Sequence, residues 1–187
     1  MHSSCYELFY ASINKMPQLT SLTFKMDLFS STDPPILQLP PSLLSLRLEM
    51  RLQSILLTLR DTGLSEDPIV ALRSLPNLSY LRMYGAYRGR RIGVCSRGSF
   101  PSLKILLIQW FYDWEEWGEI EEGSIPCLSY LKVSNCPKLK MLPQGFQHLH
   151  ALRHLHCKWM PPDFKKRLQP CKGEDYYKIS HIPLVSR

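Results

Sequence analysis

The sequence predicts an α/β solenoid: short parallel strands stacked side by side in a partial horseshoe, joined by irregular or helical returns. Three observations predict it. The apolar pattern leucine-x-x-leucine-x-apolar recurs along the chain at intervals of 24 or 25 residues. Fifteen prolines in 187 residues argue against long helices and for frequent turns. A content of 44% hydrophobic and 21% charged residues is that of a globular chain long enough to bury a core.

The clearest copies are "LPNLSYLRMYG" (75–85), "FPSLKILLIQW" (100–110), "IPCLSYLKVSN" (125–135) and "LHALRHLHCKW" (149–159). Their first leucines, Leu78, Leu103, Leu128 and Leu152, lie 25, 25 and 24 residues apart, and Pro76, Pro101 and Pro126 each stand two residues ahead of one. Upstream, "MPQLTSLTF" supplies Leu19, Leu22 and Phe24, "PPSLLSLRL" supplies Leu43, Leu46 and Leu48, and "LLTLRDTGL" supplies Leu57, Leu59, Thr62 and Leu64. A single copy means little, because any amphipathic strand can produce one. Repetition in near register is the leucine-rich-repeat signature.

Side chains alternate across a strand, so the last two apolar positions of the motif point inward and their neighbours point out. No unit can bury its apolar edge alone. Stacking builds one continuous core, with a short parallel sheet on the concave side and the returns on the convex side. One place breaks the register. Leu46 and Leu57 both match the second leucine but lie 11 residues apart, too few for a strand and its return. The stretch 43–64 therefore holds either a connection or a disruption. The expected organisation is an irregular segment over 1–18, leucine-rich repeats over 19–159 with the break near 46–57, and a cap helix ("MPPDFKKRL") and tail over 160–187. The stretch "CYELFYASI" is short and apolar for a terminal cap, and predicts an exposed apolar first strand.

The net charge of +7 fits either an ordinary basic surface or an anionic partner. It is not gathered into one run, and no nucleic-acid partner is expected. The six cysteines form no C-x-x-C pair, so reduced thiols are expected. "MHSSCYELFYAS" lacks the features of a signal peptide. No apolar run approaches the roughly 18 residues of a transmembrane helix. A cytoplasmic location is expected, peripheral to the plasma membrane only through partners.

The stretches "LSEDPIVALRSLPNLSYLRM" (64–83), "FPSLKIL" (100–106), "IPCLSYLKVSNCPKLKMLPQGFQHLHALRHL" (125–155), "MPPDFKKRL" (160–168) and "GEDYYKISHIPLV" (173–185) resemble the C-terminal region of plant coiled-coil, nucleotide-binding, leucine-rich-repeat disease-resistance proteins. The resemblance covers about two-thirds of the chain and implies a non-enzymatic recognition and autoinhibition module. Its implied partners are a pathogen effector, a host protein that effectors modify, or the receptor's own nucleotide-binding domain. The sequence departs from the family by lacking a G-x-x-x-x-G-K-[ST] loop, so nucleotide binding is not carried over and no cofactor is expected. A fragmentary or truncated member is implied. A general intracellular leucine-rich-repeat adaptor is the alternative.

By register the outward set on the concave strands comprises Ser79, Tyr80, Arg82 and Tyr84; Lys104, Ile105, Leu107 and Gln109; Ser129, Tyr130, Lys132 and Ser134; and Arg153, His154, His156 and Lys158. From these the candidate protein-binding residues are Tyr80, Arg82, Tyr84, Lys104, Gln109, Tyr130, Lys132, Arg153, His154, His156 and Lys158. Their mix of Tyr, Arg, Lys and His suits an acidic or phosphorylated protein surface, or simply solvent.

Other clusters carry alternatives. "RGRRIGVCSR" (88–97) and "DWEEWGEIEE" (113–122) are offset by 25 residues, which aligns Arg88 with Asp113, Arg90 with Glu115, Arg91 with Glu116 and Arg97 with Glu122; a further shift brings Lys138 and Lys140. The stacked loops would then pair basic, acidic, basic, or face solvent separately. Glu115, Glu116, Glu119, Glu121 and Glu122 belong to no recognisable catalytic set, and no enzyme activity is expected. Trp110, Trp114 and Trp117 serve either core packing or partner binding. In "HLHALRHLHC", Leu152, Leu155 and Cys157 take the inward positions, His154 and His156 share the concave face, and His148 and His150 fall on the return. A zinc site using Cys157 would need ligands from both sides of the sheet, so no metal site is expected.

Overall fold

In a computed structural model, residues 21–27, 45–73 and 75–187 are described; the expected segment 1–18, Leu19 and Leu43 lie outside them. The recurring leucine motif becomes a seven-stranded sheet in the order β1 (Ser21–Asp27), β2 (Ser45–Arg60), β3 (Leu78–Tyr84), β5 (Ile105–Gln109), β7 (Tyr130–Ser134), β8 (His154–Lys158) and β9 (Leu184–Ser186). From β2 to β9 every neighbouring pair is parallel, in unbroken register between β3 and β9. This is the expected solenoid, in which each repeat contributes one strand and is covered by the next.

Register explains the core. Leu57, Leu81, Leu106, Leu131 and Leu155 stand in one cross-strand row, and Leu59, Met83, Ile108, Val133 and Cys157 in the next. All ten are at most 2% exposed. Full burial of a large aliphatic side chain contributes about 1.5–3 kcal/mol, so the two rows supply a substantial share of the favourable energy of stacking, beside buried aromatics such as Trp114 and Phe146. Cys157 is buried as expected, and burial pushes its thiol up to about 12.

Leu46 and Leu57 both lie in β2, one strand of 16 residues. Both ends of β2 face β1 through repeated register shifts, whereas Ile55–Arg60 pairs with β3 in the repeat register from Leu56 onward.

A second periodic feature is conformational. The residue after β2, β3, β5, β7 and β8 takes a left-handed φ: Asp61 (49°), Gly85 (56°), Trp110 (63°), Asn135 (56°) and Trp159 (53°). The amides of the first four continue the ladder, donating to the carbonyls of Tyr84, Gln109, Ser134 and Lys158 at 2.7–3.2 Å. Here the chain leaves the sheet for the return. Gly, Asn and Asp adopt this conformation at little cost, whereas a bulky side chain costs roughly 1–2 kcal/mol.

The returns differ from repeat to repeat. One contains a short helix, Pro68–Leu72, capped by Asp67, whose carboxylate accepts from Ile69 N at 2.8 Å and also from Gly93 N in the next repeat. Another contains the 3-10 helix Gln144–His148. Gly145 lies so close to the Ile120 carbonyl that a Cβ there would collide with it, so glycine sets how tightly these two returns stack. Along one side the short strands β4 (Arg91–Ile92) and β6 (Glu116–Trp117) form a separate parallel pair.

The C-terminal residues contain the helix Pro162–Arg167, a 3-10 turn Tyr176–Lys178 and the last strand, β9. Phe164 is 1% exposed and anchors the helix. The chain then returns to the sheet: Leu184, Val185 and Ser186 pair with His154, Leu155 and His156. Beneath it Asp175 accepts from Arg167 at 2.7 Å and meets Lys178 at 2.8 Å, while Lys178 Nζ also donates to the Leu142 carbonyl at 2.8 Å. Among the described residues, no helix is long and apolar enough to cross a membrane.

Candidate functional site

The strand alternation that buries the leucines puts a second set of side chains on the opposite face in three rows. Leu56, Tyr80, Ile105, Tyr130, His154 and Leu184 make the first. Thr58, Arg82, Leu107, Lys132, His156 and Ser186 make the second. Arg60, Tyr84, Gln109, Ser134 and Lys158 make the third. Backbone bonds from Lys104 N to Ser79 O, Ser129 N to Lys104 O and Arg153 N to Ser129 O extend the ladder one step toward the strand starts. This brings the exposed Lys104 and Arg153 to the same margin. The three rows hold the cations Arg60, Arg82, Lys132 and Lys158 and no aspartate or glutamate.

Between the strands runs a groove of about 380 Å³ lined by Tyr80, Arg82, Ile105, Leu107, Gln109, Tyr130 and Lys132. Its floor is aliphatic, and its walls carry two tyrosines and two cations. Arg82 Nε is buried there without a hydrogen-bond partner, a costly state for a charged donor unless a ligand completes it. Tyr130 packs against His154 and His156, with ring centroids 6.0 and 5.2 Å away. At the strand ends the Arg60 guanidinium lies 4.9 Å from the Tyr84 ring centre, and Tyr84, Trp110 and Tyr112 follow one another at 5.9 Å.

Two residues differ from a simple outward reading. Gln109 is only 8% exposed and donates through Nε2 to Ser134 Oγ at 3.1 Å, while Ser134 is fully buried. They stabilise the sheet end rather than offering contact area. Conversely, Trp159, which lies beyond the outward strand positions, is 65% exposed just after β8 and holds a left-handed φ. Its signal was its position, directly after a strand in the same repeat slot as Trp110.

Burial lowers the affinity of His156 for protons, and Lys158, Lys132 and His154 lower it further. The sign is set by this depression: the fold favours neutral imidazole, so its contribution is present above the ordinary value of about 6.5 and declines as pH falls through it. In an NMR titration the His156 ring is expected to change charge below pH 6.5. Lys132→Ala is expected to move that midpoint upward, and an unmoved midpoint would contradict this origin.

Of the other clusters, the stacked charged loops pair at two of the four positions that the 25-residue offset aligns; Asp113 pairs with Lys138 rather than Arg88, and Arg97 donates its backbone amide to Glu121 Oε2 at 2.9 Å instead of pairing with Glu122. Arg91 meets Glu116 at 2.7 Å and Arg90 meets Glu115 at 3.6 Å; from the next repeat Lys140 reaches Glu115 at 3.2 Å and Lys138 reaches Asp113 at 2.7 Å. These pairs are largely exposed, so each is worth about 0–1 kcal/mol and chiefly fixes register. The tryptophans divide. Trp114 is fully buried and Trp117 packs against the core, while Trp110 joins the aromatic patch at the strand ends. The histidines divide too. His154 and His156 share the open face with Tyr130, whereas His148 and His150 lie on the return beside Glu122 from the preceding repeat. Glu122 lies outside the "HLHALRHLHC" stretch, and no strand register links it to these histidines.

A stack of parallel strands repeating every 24 or 25 residues, with leucines inside and a basic-aromatic face outside, is a leucine-rich-repeat solenoid. No family model matches the chain. Its relatives are nonetheless specific. It is 45% identical over 123 residues to the probable disease resistance RPP8-like protein 4 of Arabidopsis thaliana, covering 65% of this chain and 13% of that protein. It is 43% identical over 124 residues to the disease resistance protein RPP8, and 42% identical over 124 residues to the disease resistance protein RPH8A, both from the same plant. Each of these matches covers 66% of this chain and 13% of the relative. The chain is thus homologous to a segment of plant disease-resistance proteins, the relationship that its own repeats implied.

Proposed function

We propose that the chain acts, without catalysis, as the protein-recognition portion of a plant disease-resistance receptor inside the cell. The observation that carries this reading is the open face of the sheet. It combines a groove with an unpaired Arg82 Nε, four row cations without a row carboxylate, and adjoining tyrosines. Arg and Tyr are enriched at energetic centres of interfaces, because they desolvate broad surface while keeping directed hydrogen bonds. The fitting occupant is an acidic or phosphorylated protein surface. It belongs to a pathogen effector, to a host protein that effectors modify, or to the nucleotide-binding domain of the receptor itself. Tyr80, Arg82, Tyr84, Tyr130, Lys132, His154, His156 and Lys158 make the contact, with Lys104 and Arg153 at the margin and Gln109 supporting from beneath.

The non-enzymatic reading is supported by the acidic loop, where Glu115 and Glu116 are engaged by Arg90, Arg91 and Lys140. The test is association of the 187-residue chain with a separately expressed nucleotide-binding region of such a receptor. A complex is expected that weakens steeply as salt is raised, as charge complementarity requires. A correctly folded chain that shows no association would count against the regulatory form of this reading.

A further inference from the structure

Two imidazoles and a carboxylate converge on the return side of the solenoid, away from the binding face. Glu122, His148 and His150 each present one donor atom, and all three atoms lie within 4.8 Å of one another. Repeat stacking produces this. Glu122 lies directly before Gly123, whose φ of 75° turns the chain, and the next repeat places the 3-10 helix Gln144–His148 alongside. A tight turn, with His150 N donating to the His148 carbonyl at 3.0 Å, sets both imidazoles on one side of the buried Leu149. The result is a pocket of about 200 Å³ lined by these three residues together with Gly123, Ile125, Pro126 and Leu149.

We propose that Glu122, His148 and His150 form a binding site for a divalent transition-metal ion of the zinc class. Two neutral imidazoles and one carboxylate are a known zinc donor set, with water in the fourth position. The nitrogen donors favour zinc, cobalt or nickel over magnesium or calcium. Around a tetrahedral ion with bonds of about 2.0–2.2 Å, donor atoms stand roughly 3.4 Å apart. Glu122 and His150 are exposed and close that gap by side-chain rotation. Gln147, whose side-chain amide lies 3.1 Å from His148 Nε2, is placed to accept the N–H of a His148 bound through Nδ1 once its terminal amide turns to present the oxygen. Buried Ile125 and Leu149 exclude water from one side. The bound ion would tie two successive returns together.

The experiment is titration of the 187-residue chain with zinc chloride by calorimetry, and with cobalt by absorption spectroscopy. One ion per chain is expected, with a rise in melting temperature on binding and weaker binding at acidic pH, where protons compete for the histidines. His150→Gln and Glu122→Gln are each expected to weaken binding about tenfold or more, while His154→Gln with His156→Gln leaves it unchanged. Both substituted side chains reach solvent, and circular dichroism checks that the variants are folded. No binding, or binding that survives His150→Gln, overturns the proposal. So does a thiolate-to-cobalt charge-transfer band, which would assign the ion to exposed Cys127 or Cys171.

Discussion

Replacing Asp175 with asparagine is expected to destabilise the fold by about 3–5 kcal/mol, the range for removing one partner of a buried ion pair. Asp175 is 3% exposed and Lys178 4%, and the carboxylate also holds Arg167 at 2.7 Å. Asparagine keeps the shape but leaves the Lys178 ammonium facing a neutral amide. A shift of the urea midpoint at unchanged slope measures the loss. Asp175→Asn combined with Lys178→Met removes both charges and is expected to recover much of it, because the penalty lies in the stranded cation. Acid gives an independent check. Burial alone would raise the Asp175 carboxyl, but hydrogen bonds and attraction from Arg167 and Lys178 outweigh it and hold the group below the ordinary value. Its contribution is therefore complete above the unfolded value of about 3.9, and is lost as pH falls through that value toward the folded one. The asparagine variant should lose less stability over the same acid range.

Trp114→Ala is expected to cost about 3–5 kcal/mol, the range for deleting a fully buried large aromatic. Trp114 is 0% exposed, its ring 5.9 Å from that of Phe111 and 5.0 Å from that of Trp117, which in turn lies 5.4 Å from Phe146. The row joins consecutive returns, so truncation opens a cavity between repeats rather than within one. It also removes the indole donor to the Glu116 carbonyl, a 2.8 Å bond at the base of the charged loop. Trp159→Ala serves as the control. With 65% of its surface exposed, that ring is expected to change stability by less than about 1 kcal/mol. Equal losses for the two variants would contradict this division of the tryptophans.

Much of this molecule was legible because its strands obey two periods at once. A period of two within the strand assigns Leu81 inward and Arg82 outward, and a period near 24 carries that assignment to Leu106 and Leu107, then Leu131 and Lys132. The same offset paired Arg90 with Glu115 and Arg91 with Glu116. What escaped depends on backbone conformation or on loops of unequal length. The left-handed residue after β2, β3, β5, β7 and β8 is aspartate, glycine, tryptophan, asparagine and tryptophan in turn, so no residue type marks it. Gln109 reads as outward by parity, yet its hydrogen bond to Ser134 keeps it covered. Glu122 meets His148 and His150 across returns of differing shape, where no strand register applies. The short "PLVSR" end gives no sign by composition that it completes a sheet, because its pairing with β8 is wholly non-local.

The recognition role assigned to the open face is tested most directly by reversing its charge. Association with the nucleotide-binding region of a disease-resistance receptor is measured by biolayer interferometry for Arg82→Glu with Lys132→Glu, and for Lys165→Glu with Lys166→Glu on the C-terminal helix. The net charge change is equal in the two pairs. If the groove between β3 and β7 carries the contact, the first pair weakens binding about tenfold or more, or about 1.4 kcal/mol, while the second changes it less than about twofold. Equal losses, or a loss confined to the helix pair, would contradict that role.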